Sequence, residues 1–109
     1  MIELIAQQRE AIARLCRLYG VRRLDVFGSA TKVSFDPQTS DLDFVVDFAD
    51  RGPGYLERYL DLADALEALL GYKVDLLTER ALSKRPRFRQ SVEESREPIY
   101  DRASETKAA

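Results

Sequence analysis

Two aspartates one residue apart, Asp41 and Asp43, sit at the head of the apolar run Leu42–Val46, and this pair constrains the fold more than any other feature. In a strand, alternate side chains share a face, so Asp41 and Asp43 point one way while Leu42, Phe44, Val46 and Phe48 point the other. The two carboxylates are then roughly 6.5 Å apart along the backbone. They repel unless a cation or a proton lies between them. Magnesium suits such a place, because it takes oxygen ligands, keeps several waters and shares its site with substrate phosphates.

Upstream, Leu24–Phe27 reads as the end of a first strand, spanning 21–27, that runs into Gly28 and Ser29. Glycine lets the backbone approach a ligand closely and serine adds a hydroxyl. A helical turn starting there would aim free N–H groups at an anion. Downstream, residues 72–77 read as a third strand in which Asp75 is the only acid. Placed beside the strand of Asp41 and Asp43, it would bring a third carboxylate to one site, enough for the paired-metal arrangement of phosphoryl transfer.

These stretches resemble the polymerase beta-like nucleotidyltransferases, and within them the minimal nucleotidyltransferases that act as antitoxins beside HEPN-domain toxins. The resemblance is carried by Phe27-Gly28-Ser29-Ala30, by residues 40–46 and by Val74-Asp75-Leu76-Leu77. It implies that Asp41, Asp43 and Asp75 are catalytic and hold magnesium, two ions, and that Gly28 and Ser29 bind the triphosphate of ATP. It also implies transfer of AMP to a hydroxyl, a tyrosine of a cognate HEPN toxin, which is thereby silenced. Eleven residues separate Ser29 from Asp41, one more than is commonest in the family, and Lys32 follows where many relatives carry an arginine. Lys32 would take over a phosphate contact as a point charge, without arginine's bidentate fork. Two other readings stay open: an antitoxin that neutralises its toxin by binding alone, and a nucleotidyltransferase acting on RNA or a small molecule.

The rest of the chain narrows the chemistry. It has no histidine, which removes imidazole acid–base catalysis, the Ser-His triad and the usual zinc sites. A lone cysteine, Cys16, allows no internal disulfide and fits a reducing compartment. No apolar run is long enough for a membrane span, and the N-terminus does not read as a signal peptide, so a cytoplasmic protein is expected. With 45% hydrophobic and 33% charged residues the chain reads as globular, and a formal net charge of −2 argues against direct nucleic-acid binding.

Helical periodicity runs over 2–19, with Ile5, Ile12, Leu15, Cys16, Leu18 and Tyr19 as its apolar stripe and Gly20 as its stop. In the first strand Arg22, Arg23 and Asp25 are expected at solvent-facing or edge positions. Phe35 in the polar loop is read as a core residue or a base-stacking one, and Asp47 as a solvated acid beyond reach of the metals. A second helix over 55–70 is expected to bury Leu56, Tyr59, Leu60, Ala63, Leu66 and Leu70. Thr78 can cap a short helical turn. Arg80, Lys84, Arg85, Arg87 and Arg89 then form a basic stretch with no acid among them, readable as a solvated face, a protein-docking surface or a phosphate contact. Residues 91–100 read as a last helix.

Together these elements predict one α/β domain over 1–102, a small mixed β-sheet with helices packed on one face, followed by a flexible tail over 103–109.

Overall fold

The computed structural model describes residues 1–31, 36, 38 and 41–104. A four-stranded sheet carries β1 (Val21–Phe27), β2 (Leu42–Phe48), β3 (Val74–Thr78) and β4 (Glu97–Asp101) in the order β3-β2-β1-β4. β1 runs antiparallel to both β2 and β4, whereas β2 and β3 are parallel and joined through helix α3 (Tyr55–Leu70). Helices α1 (Glu3–Gln7) and α2 (Arg9–Leu18) precede the sheet, and α4 (Glu79–Ser83) and α5 (Pro86–Ser95) lie between β3 and β4.

The alternation of the strands divides the apolar residues into two clusters. Leu24, Val26, Leu42, Phe44, Val46, Val74 and Leu76 pack under α1, α2 and α3 as the main core. Phe27 and Val45, on the opposite face, meet Leu82 of α4 and Val92 of α5. Phe88 extends this smaller cluster, its ring edge-on to Phe27 at 6.1 Å. The α/β class holds, with the larger helical layer on one face and two short helices over part of the other.

Several local expectations are met by visible causes. Gly20 and Gly71 follow their helices at φ +73° and +75°, the left-handed region where glycine costs least. Thr78 accepts a 3.1 Å hydrogen bond from the Ala81 N–H and so caps α4.

Others are corrected. The expected helix over 2–19 is two helices, offset at Gln8. The last segment is helical only to Ser95 and then returns as β4, an edge strand whose Pro98 sits in register with Asp25. Asp25 is not at the surface but fully buried, and Asp47 is ion-paired with Arg22 and Arg51 at 2.6 and 3.3 Å. In α3 the buried seam is Leu62, Leu66 and Leu70, while Leu56 and Leu60 are 66% and 51% exposed. The seam repeats every four residues, and Leu56 and Leu60 lie on its flank.

Both sheet edges are occupied by side chains, which blunts pairing with other chains. Glu67 of α3 accepts from the Val74 N–H at 2.9 Å, the Tyr59 hydroxyl donates to the Leu76 carbonyl, and Arg9 donates to the carbonyls of Pro98 and Ile99.

Candidate active site

Asp43 and Asp75 stand in register on the parallel strands β2 and β3. Neighbouring strands lie about 4.8 Å apart and residues in register share a face, so the two side chains emerge side by side. They emerge on the face of Phe27 and Val45, opposite the larger helical layer, at the end of the sheet where β1 runs into Gly28. Asp41 precedes β2 and is exposed, as is Asp75, while Asp43 is half-buried.

The charges of the other two acids act on Asp43. Burial pushes the Asp43 carboxyl up from 3.8 to about 6, and the charges of Asp75 and Asp41 add to the rise. Among the described residues, however, no three His, Cys, Asp or Glu side chains form a ready-made metal cage. The arrangement is an open one of oxygen donors with unneutralised repulsion. It fits a hard divalent cation that shares its coordination with substrate phosphates and water. Asp41, Asp43 and Asp75 are the residues present to hold it.

Gly28 closes the other side. It ends β1 at φ +72° and begins a 3-10 turn, Gly28–Thr31, in which Ser29 is second. A Cβ there would stand 2.9 Å from Asp43 Oδ2, so a side chain would have to move that carboxylate as well as bear the left-handed backbone angle. The turn is braced by Thr31 Oγ1, which donates to the Gly28 carbonyl at 2.7 Å. The Gly28 N–H, expected to be free for an anion, instead donates to Ser95 Oγ at 3.0 Å. Lys32, together with Phe35 and Ser40, lies outside the described residues.

Three participants escaped the sequence reading. Ser95, at the end of α5, meets Gly28 across 67 positions of chain, and no local pattern announces it. Tyr59 is read from periodicity as a packing residue, but its hydroxyl donates to the carbonyl of Leu76, the residue after Asp75, and burial and then the Asp75 charge raise its phenol pKa. Arg96 joins three elements: its Nε donates to Asp25 Oδ2 at 2.7 Å, Nη1 to Glu93 at 2.7 Å and Nη2 to Glu79. Burial opposes the charge on the Arg96 guanidinium, but the bonds to Glu79, Asp25 and Glu93 outweigh it and raise its pKa. Arg23 gives Asp25 a second partner at 3.1 Å. A lone acid between Leu24 and Val26 is the available signal, since a buried charge requires a cation.

The fold and this end of the sheet define a class, a small mixed α/β domain with its acids beside a glycine turn. Residues 8–99 match the nucleotidyltransferase domain family, and the chain belongs to that family. A Methanocaldococcus jannaschii relative named for protein adenylyltransferase activity is 34% identical over 76 residues, covering 70% of this chain and 74% of that one. A solved structure described as a minimal nucleotidyltransferase shares 36% identity and superposes with a TM-score of 0.71, covering 89% of this chain and 96% of that one. Another, the tri-AMPylated Shewanella oneidensis HEPN toxin in complex with MNT antitoxin, shares 22% identity at a TM-score of 0.61, covering 94% and 77%. At that identity the likeness concerns the fold alone. Among the described residues no helix is long and apolar enough to cross a membrane.

Proposed function

We propose that this nucleotidyltransferase moves AMP from ATP to a tyrosine hydroxyl of a HEPN-domain toxin and so acts as its antitoxin. The observation that carries the reading is the register of Asp43 with Asp75, set against Gly28. Relatives named for protein adenylyltransferase activity, and a related fold in complex with an AMPylated HEPN toxin, support the choice of acceptor.

Asp41, Asp43 and Asp75 would hold Mg2+, which when bound neutralises charge on the triphosphate and lowers the pKa of the attacking hydroxyl. The absence of a side chain at Gly28 lets phosphate oxygens approach the backbone of the turn, and the Ser29 hydroxyl donates to one of them. Lys32 supplies a further positive charge to the phosphates. Asp75, exposed at the edge of the site, accepts the proton of the acceptor hydroxyl as its oxygen bonds to the α-phosphorus. The bond from that phosphorus to the bridging oxygen breaks, and pyrophosphate leaves with the electron pair.

The test is transfer of label from α-labelled ATP to purified HEPN toxin with magnesium present. Label that appears with the intact protein and disappears with Asp41→Asn or Asp43→Asn supports the reading. Toxin neutralised equally well by those variants, with no label on it, replaces it with inhibition by binding; label on RNA or a small molecule instead of the toxin replaces the acceptor.

A further inference from the structure

The basic stretch that begins at Arg80 has no part in the acid site, yet the structure gives it a definite setting. Arg80, Lys84 and Arg85 rim a groove of about 550 Å3 between the start of α3 and α4. Its floor is apolar, made largely by Tyr55, Leu56, Tyr59 and Ala81, and no acid lines it. Leu56 is 66% exposed, and Leu60, one helical turn further along the same flank of α3, is 51% exposed. A leucine left in water in a groove that three cations rim, with a second exposed leucine one turn along the helix, is not a solvated charged face. The rim is also partly fixed, because the Arg85 guanidinium lies 4.7 Å over the Phe88 ring.

The groove adjoins the acids. Tyr59 belongs to its floor and donates its hydroxyl to the carbonyl of Leu76, next to Asp75. Thr78, at the far end of the groove, is roughly 10 Å along β3 from Asp75.

We propose that this groove docks the acceptor protein through an amphipathic helix, its apolar stripe on Leu56, Leu60 and Tyr59 and its flanking carboxylates against Arg80, Lys84 and Arg85. The inference rests on the reading of the chain as a transferase acting on a protein. Charge complementarity selects the occupant: three cations around an apolar floor, with no acid lining the groove, call for an apolar stripe flanked by carboxylates. A nucleic acid would gain from the cations but nothing from a floor of leucine and alanine, whereas an amphipathic helix uses both. Docking here leaves the acceptor hydroxyl within a short flexible reach of Asp75.

The test titrates purified HEPN toxin into the wild-type chain, Leu56→Asp and Lys84→Glu, with folding checked by circular dichroism and binding of an ATP analogue followed in parallel. Both substituted residues are exposed, so the fold is expected to persist. Toxin binding at least about 10-fold weaker in each variant, with analogue binding unchanged, supports the groove. Recovery of Lys84→Glu by a carboxylate-to-lysine change on the toxin would fix the contact. Toxin bound and labelled equally by all three forms overturns the groove and leaves the transferase reading intact. Toxin neither bound nor labelled by any form overturns both. Self-association of the wild type that Leu56→Asp abolishes, or an RNA oligonucleotide whose binding Lys84→Glu abolishes, overturns the proposed occupant.

Discussion

A Cβ placed on Gly28 would lie 2.9 Å from Oδ2 of Asp43, closer than carbon and oxygen tolerate, at a backbone φ of +72°. Where the first strand ends, one residue both turns left-handed and leaves room for a carboxylate on the next strand. Gly28→Ala is expected to cost about 1–2 kcal/mol in stability through the backbone angle. It should also displace Asp43, lowering transfer by at least about 10-fold, since small misplacements at a reacting centre are costly. Urea denaturation and initial rates measured on the same preparation check both effects. Loss of stability with full activity would show that Asp43 does not depend on the turn.

Asp43 makes the metal-free fold sensitive to pH in a direction opposite to that of most acids. Its folded pKa of about 6 lies above the ordinary 3.8, so the fold favours the protonated form. Its contribution is fully present below pH 3.8 and is lost as pH rises through about 6. Asp43→Asn cannot suffer that loss. In chelator at pH 8 the variant should be more stable than wild type by on the order of 1 kcal/mol, after discounting for the solvent that reaches the group. At pH 3.5 the difference should vanish. Denaturant titrations at the two pH values measure it.

The cluster around Arg96 holds α4 and α5 against β1. Arg96→Met leaves Asp25 buried with Arg23 as its remaining partner, at a cost of about 3 kcal/mol. Adding Asp25→Leu should recover much of that loss, because the uncompensated charge is then gone. A double-mutant cycle in denaturant gives the coupling. Additive single effects would mean that the two residues do not act as a pair.

What could be read from the sequence follows the range of the interactions involved. Gly20, Gly71 and Thr78 act on their own helix ends, and a strand's alternation places Asp43 opposite Phe44, so local pattern sufficed for them. β4 reads as helix in the sequence because it is short and contains Pro98, which an edge strand tolerates and a central one does not. The sequence puts Asp25 at the surface because, of its two cations, only Arg23 is near in sequence and Arg96 is 71 residues away. Leu56 and Leu60 fit a helical stripe as well as the buried leucines do; only the position of β3 and α4 decides which flank is covered. Ser95 belongs to the same group, since the Gly28 amide meets it through the fold alone.

The central claim is that Asp43 and Asp75, from separate strands, serve one magnesium–nucleotide site. Calorimetric titration of α,β-methylene ATP with and without magnesium, into wild type, Asp43→Asn and Asp75→Asn, tests it most directly. The account predicts magnesium-dependent binding in wild type that weakens by about 10-fold or more in either variant, and in a double variant titrated alongside them a loss smaller than the sum of the two single losses. Magnesium-dependent binding by Asp75→Asn at wild-type strength would contradict it.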